Sequence, residues 1–310
     1  MKEKTIFALG FFDGVHLGHQ ALLRACKEKA TEYGCRAGVV TFTDHPEALV
    51  PGKPAVRINT PEDRERMLKK FGMDEVLFLP FDRKLMNTPW QDFLNDLMKK
   101  GAAGFVCGND FRFGAGGKGT AEKLADFCSQ RNIPCSVIPE QTMDGVRICS
   151  TYIRSLLESG EMEKAVAFLG HPHILTSEVI SGRGLGQTMG IPTANLSLPQ
   201  DVLMPKPGVY ACKAWVGEDV YIAVCNIGSR PTVGGHHVTI EPHLLDFSGD
   251  LYGKTITLEF HKFLRPEQKF DSLDALKTQI QKDIGQCTPH AFSPGRRWPS
   301  ASKAGCGETL

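Results

Sequence analysis

Apolar residues fall along this chain in two different rhythms. In the first half, unbroken apolar runs at Thr5–Leu9, Ala37–Phe42, Val76–Leu79, Gly104–Cys107 and Cys135–Ile138 predict strands buried on both faces, as in a parallel sheet. Between them the period is helical. Leu22, Ala25, Cys26, Ala30 and Tyr33 share one face of a helix that Gly34 stops. A second helix is expected to open with Thr88 as N-cap, Pro89 at the first helical position and Gln91 three residues after the cap. It carries Trp90, Phe93, Leu94, Leu97 and Met98 and ends at Gly101. Strands alternating with helices predict a doubly wound α/β domain.

Near residue 172 the texture changes. Short β-rich runs at Val209–Val216, Val220–Val224 and Thr255–Phe260, separated by Gly, Pro and Asn, predict an all-β unit, a small antiparallel barrel or sandwich. One helix closes it: Ser272 is a good N-cap, Leu273, Leu276, Ile280 and Ile284 form the stripe, and Gly285 is the expected stop. Cys287–Leu310 is rich in Pro, Gly, Ser and Arg without an apolar period and reads as a mobile tail. The expected domains are therefore 1–172, 173–286 and the tail 287–310.

Composition narrows the class. The 310 residues include 36 basic and 35 acidic ones, which argues against a polyanion-binding surface and hence against a nucleic-acid partner. The N-terminal apolar run is too short for a signal peptide and no stretch approaches a membrane span. The ten cysteines are scattered singly, without metal spacing, and read as reduced thiols of a cytoplasmic enzyme.

The sharpest motif is Gly10-Phe11-Phe12-Asp13-Gly14-Val15-His16-Leu17-Gly18-His19, between the first strand and the first helix. A strand-to-helix turn offers free backbone N–H groups and a positive dipole end, and glycines let a phosphate chain approach closely. Two histidines at that mouth can donate hydrogen bonds to phosphate oxygens as charge builds during transfer. Three further segments follow in order: Thr41-Phe42-Thr43-Asp44-His45-Pro46, Gly108-Asn109-Asp110-Phe111-Arg112-Phe113-Gly114, and Ile148-Cys149-Ser150-Thr151-Tyr152-Ile153-Arg154. In the second half, Gly182-Arg183-Gly184-Leu185-Gly186 leads through Gly190 to Pro192-Thr193-Ala194-Asn195. A hydroxyl and an amide oxygen two residues apart on an extended segment point to one side and suit Mg²⁺. Thr239-Ile240-Glu241-Pro242-His243 and Phe263-Leu264-Arg265 lie further on.

Together these blocks resemble the bacterial bifunctional riboflavin kinase/FAD synthetases, from about residue 4 to 285. The resemblance implies a Rossmann-like HxGH nucleotidyltransferase domain followed by a riboflavin kinase barrel. It implies phosphorylation of riboflavin to FMN and adenylylation of FMN to FAD, with ATP as donor and Mg²⁺ carried by ATP. By the same resemblance His16, His19 and Arg154 act on the triphosphate, and Gly10, Phe11, Asp13, Gly18, Ser150 and Thr151 bind nucleotide. Gly182 and Gly190 would bind the kinase's nucleotide, Thr193 and Asn195 its metal, and Glu241 would be the general base. His45, Asn109, Asp110 and Arg265 would border the flavin.

Blander roles stand beside several of these. His45 before Pro46 also suits an ordinary loop, Asn109 and Asp110 a turn, Ser150 and Thr151 a helix cap, and Arg265 a pair with Glu267. Cys149 stands where the family has the first serine of ISSTxIR, and Leu169-Gly170-His171-Pro172-His173 replaces its LGRPY. Two rival readings remain: a chain with one activity only, the kinase being favoured, and a non-catalytic flavin- or nucleotide-binding regulator.

Overall fold

Thr5–Leu9 forms β1, buried along its whole length, and sits at the centre of a parallel sheet. The computed structural model describes residues 4–49, 56–181, 191–232, 235–287 and 292, with 229–232 and 235–237 described by backbone alone. The chain divides into two compact units, Met1–Tyr152 and Ile153–Leu310.

In the first unit β2 (Arg36–Phe42), β3 (Glu75–Leu79), β4 (Ala102–Gly108) and β5 (Cys135–Ile138) join β1 in the order β3-β2-β1-β4-β5. Every pairing is parallel; a separate antiparallel pair, β6 (Thr142–Met143) and β7 (Val146–Arg147), follows β5. All five apolar runs therefore become strands, because a parallel sheet covered on both faces has no polar side to alternate with. The helices are α1 (Leu17–Glu32), α2 (Pro61–Lys70), the single turn α3 (Arg83–Met86), α4 (Trp90–Lys99) and α5 (Ala121–Ser129). Helix α6 (Ser150–Ser159) begins in this unit.

Two details differ from expectation. In α1 the core takes Leu23, Cys26 and Ala30, whereas Tyr33 is 51% exposed at the C-cap. Thr88 does not cap α4: its hydroxyl donates to Lys84 O at 2.8 Å, and α4 starts after Pro89 with no side-chain cap. That carbonyl, in the turn α3 just upstream, also accepts from Asn87 N at 3.2 Å, so the hydroxyl is a second donor closing the end of α3.

In the second unit α7 (Met162–Leu169) precedes β8 (His173–Ile180), β9 (Asn195–Leu196), β10 (Gly208–Val216), β11 (Asp219–Thr232), β12 (Gly235–Leu244), β13 (Thr255–Arg265) and α8 (Leu273–Gln286). The strands run in the order β12-β11-β10-β13-β8-β9, antiparallel throughout. Ala194 N–H donates to Pro242 O at 2.9 Å and brings the last strand of that order to the first, nearly closing a six-stranded barrel. Tyr210, Cys212, Ala214, Ala223, Cys225, Ile227, Leu258 and Phe260 are buried in its strands. Val209, Ala211 and Val224 pack with Ile284, Cys287 and Phe292, so β10 is buried on both faces.

Ser272 caps α8 as expected, accepting from Ala275 N. The helix runs past Gly285 to Gln286, and Leu273 is 69% exposed. Its one fully buried side chain is Asp283. Apart from Cys287 and Phe292, the 287–310 segment lies outside the described residues, as do Gly182 and Gly190.

Candidate active sites

The first unit has a cleft of about 270 Å³ at the carboxyl ends of β1 and β4. These strands leave the sheet centre in opposite directions of the strand order, the switch point where open α/β sheets bind ligands. Gly10, Phe11, His16, Gly18 and His19 line it from the turn after β1, Asn109 and Asp110 from the loop after β4, and Arg147, Cys149 and Ser150 from the approach to α6.

The turn is held by its carbonyls. Thr41 Oγ1 and an Arg64 guanidinium nitrogen both donate to Phe11 O, at 2.8 and 2.9 Å. Ser150 Oγ donates to Asp13 O at 2.9 Å and Gln20 Nε2 to Val15 O at 2.9 Å. Phe12 and Val15 carry positive φ, 56° and 40°; for a β-branched residue that is strained backbone, of the kind found at functional sites.

His16 is the N-cap of α1, its Nδ1 accepting from His19 N at 3.3 Å. The two imidazoles stack, and a Cβ at Gly18 would lie 3.2 Å from the His16 ring. A side chain at position 18 would crowd that cap. Burial, then the His16 ring, then the Arg64 guanidinium push His19 well below the ordinary 6.5, so it is neutral at pH 7.

Some expected residues stand off the cleft. Asp13 is 1% exposed and its Oδ1 accepts from Ile58 N at 2.8 Å. His45 is 8% exposed, its Nδ1 accepts from Glu47 N at 3.1 Å, and its ring meets the edge of Phe11. Thr151 is exposed on α6. Helix α6 starts at Ser150 itself, which leaves Cys149 at the cap position. Arg154 lies further along α6, in the second unit. Sequence reasoning missed Arg64 and Arg147. Arg147 pairs with Asp110 and, at 3.1 Å, with Glu140.

In the second unit Thr193 and Asn195 flank the Ala194–Pro242 bond that closes the barrel. His243 Nδ1 lies 2.7 Å from Pro192 O, a second tie between the Pro192–Asn195 segment and β12. Glu241, the residue before Pro242, is half-buried and faces Asn226 across the β11–β12 ladder. Only the register places Asn226 opposite it. Asn195 pairs with Ile180 on β8.

Arg265 does not pair with Glu267. Its Nε and Nη2 meet both carboxylate oxygens of Asp283 at 2.8–3.1 Å, and Nη1 donates to Pro266 O at 3.1 Å. The partner is eighteen residues away on α8, beyond the reach of local spacing arguments.

The parallel sheet with its HxGH turn defines a nucleotidyltransferase-type unit, and the barrel with its Pro-Thr-Ala-Asn segment a riboflavin-kinase-type unit. Family models agree: FAD synthetase matches residues 1–152 and riboflavin kinase residues 169–290. The bifunctional riboflavin kinase/FMN adenylyltransferase of Bacillus subtilis (strain 168) is 35% identical over 288 residues, covering 91% of each chain. That of Escherichia coli (strain K12) is 37% identical over 286 residues, again covering 91% of each. A solved Streptococcus pneumoniae structure described as a macrolide-efflux protein has a TM-score of 0.85 at 31% identity, over 94% of this chain and 96% of that one. Among the described residues here, no helix is long and apolar enough to cross a membrane. The chain belongs to the bifunctional riboflavin kinase/FMN adenylyltransferase family.

Proposed function

We propose that this chain makes FMN from riboflavin and FAD from FMN, each at its own site and each with ATP. The observation that carries the reading is that each unit gathers signature residues of its own. The stacked histidines line a switch-point cleft, and Thr193 and Asn195 are tied to the strand of Glu241.

In the kinase step the riboflavin 5′-hydroxyl oxygen bonds to the γ-phosphorus of ATP, the bond to the β-phosphate oxygen breaks, and ADP leaves. Glu241 takes the hydroxyl proton. Thr193 and Asn195 supply one hydroxyl and one amide oxygen from an extended segment, a hard-oxygen set suited to Mg²⁺. The ion would neutralise phosphate charge there. Gly182 and Gly190 belong to the loop assigned to the nucleotide.

In the transfer step an FMN phosphate oxygen bonds to the α-phosphorus of a second ATP, and pyrophosphate leaves. No covalent intermediate is required; positioning and charge neutralisation suffice. The turn from Gly10 to Gly18 receives the phosphates, with neutral His19 as a hydrogen-bond donor and Arg154 as a cation. Asp13 serves from behind, through its bond to Ile58 N. Asn109 and Asp110 border the flavin, whereas His45 acts by supporting Phe11. Arg265, engaged by Asp283, fixes α8 to the barrel beside the kinase site.

We assign residues 1–172 to the transferase and 173–286 to the kinase, and place the protein in the cytoplasm, where thiols stay reduced. The test is incubation with riboflavin, ATP and Mg²⁺, followed by chromatographic separation of the flavins. FMN and then FAD are expected. FMN alone would point to the single-activity reading, and no product to the regulator. Glu241→Gln or Asn195→Ala should stop FMN formation and spare FMN-to-FAD conversion; His19→Ala or Arg154→Ala should do the reverse.

A further inference from the structure

Helix α2 turns a charged residue into the core. Arg64 is fully buried on the same face as Met67 and Leu68, where an ionised group is costly unless hydrogen-bonded. Burial pulls its guanidinium down to about 10, opposed by the charge of Asp13, so it remains a cation at neutral pH. One Nη donates to Phe11 O at 2.9 Å and the other to Phe42 O. The guanidinium carbon also lies 4.5 Å from the Phe11 ring centroid and 5.4 Å from that of Phe78.

These contacts join the turn to the end of β2 beyond the last strand pairing, where the Thr41 hydroxyl on Phe11 O is a second tie. Phe11 belongs to the turn bearing His16 and His19, and Phe42 ends β2, just before the segment bearing His45. A planar fork can bond two carbonyls at once while stacking on an aromatic face; an ammonium cannot. We propose that Arg64 is a positioning residue for adenylyl transfer, clamping the carbonyls of Phe11 and Phe42 so that the histidine turn is fixed against the end of β2. The proposal rests on the reading of this cleft as the transferase site. Among the described residues, the groups whose charge acts on His19 are the His16 ring from the turn and Arg64 from α2.

The test uses Arg64→Lys and Arg64→Met in the full chain, with four readouts. FMN-to-FAD kcat should fall about a hundredfold in both variants, the penalty of a misplacement of about 1 Å, with KM for ATP little changed. Riboflavin-to-FMN activity should persist, and slow amide exchange in β1 and β4 should show that the first unit is folded. The His19 titration, followed by NMR of ¹³C-labelled histidine, should move up towards the ordinary value in Arg64→Met, which removes a facing positive charge. In Arg64→Lys it should stay low, which separates the clamp from its field. Full transferase rates in both variants, or a parallel loss of both activities, would overturn the proposal. His16→Ala and His19→Ala serve as controls. If they stop FAD formation and the Arg64 variants do not, the clamp is wrong and the site stands. If neither set affects it, both are wrong.

Discussion

The rings of His16 and His19 lie face to face, their centroids 3.6 Å apart and their planes 17° from parallel. Two imidazolium ions would repel at that distance, and burial of His19 acts in the same direction. The folded state therefore binds a proton at His19 less readily than the unfolded chain. The stability linked to this group is complete above the ordinary 6.5 and is lost as pH falls below it. Histidine NMR should show His19 neutral through pH 6. FAD formation should persist at that pH without an acid limb at 6.5. A His19 midpoint at or above 6.5 would contradict the stacked, buried arrangement.

Gly18 is set by the same ring. Gly18→Ala would place a Cβ 3.2 Å from His16, closer than comfortable carbon contact. The ring must give way and weaken its cap on α1. FMN-to-FAD conversion should fall at least tenfold, with riboflavin phosphorylation unchanged, in paired steady-state assays.

Cys149 occupies the cap position of α6. A thiol is a weak acceptor, and serine is among the favoured caps. Cys149→Ser should stabilise the start of α6 by about 0.5–1 kcal/mol, read as a higher denaturation midpoint. Transferase activity should be retained or raised; a lower midpoint would show that the thiol's apolar packing matters more.

His173 begins β8 at 1% exposure against the Phe260 ring, with neither ring nitrogen hydrogen-bonded among the described residues. Burial, with a smaller contribution from His171, takes its pKa down to about 3. The unfolded chain takes up the proton first, so stability falls as pH drops from 6.5 towards 3, by about 1.4 kcal/mol per pH unit. His173→Phe keeps the aromatic contact and removes two unsatisfied atoms, with an expected gain of about 1–3 kcal/mol at pH 7. Urea melts of both proteins at pH 7 and 5 should show the gap widening in acid.

The Arg265–Asp283 fork is 16% and 1% exposed at its two side chains. Asp283→Ala leaves a mostly buried cation without its partner and should cost about 3–5 kcal/mol. Arg265→Met combined with Asp283→Leu should recover much of that loss. Equal destabilisation by the single and double variants would show that the loss is the pair's own contribution and not the cost of an unpaired buried cation.

Much of this architecture was legible in the apolar runs, because buried parallel strands admit few polar residues. Helix α2 was not. It buries Asp63 and Arg64 beside Met67 and Leu68, so its inner face looks polar, and the periodicity that reveals α4 is absent. Strand β12 was equally hidden: its Gly-His-His start and internal Pro242 carry no strand pattern, yet it pairs with β11 along its length. Phosphate-facing turns were visible as motifs, since glycine and histidine there serve chemistry. Arg64, behind one of them, makes contacts that exist only when distant segments meet, and local spacing carries no trace of that.

The barrel seam is short. Among the described residues, strand β9 contributes Asn195 and Leu196, and the seam to β12 is bridged by the Ala194 amide on Pro242 O and the His243 ring on Pro192 O. A joint of that length opens more readily than the long β10–β13 pairing, and it carries the donors assigned to metal-bound nucleotide. Substrate would then act as a zip: nucleotide, Mg²⁺ and riboflavin held across the seam favour its closed form in proportion to their binding. Amide exchange at Ala194 and Leu196 should slow on adding them, while the first unit's sheet exchanges as before.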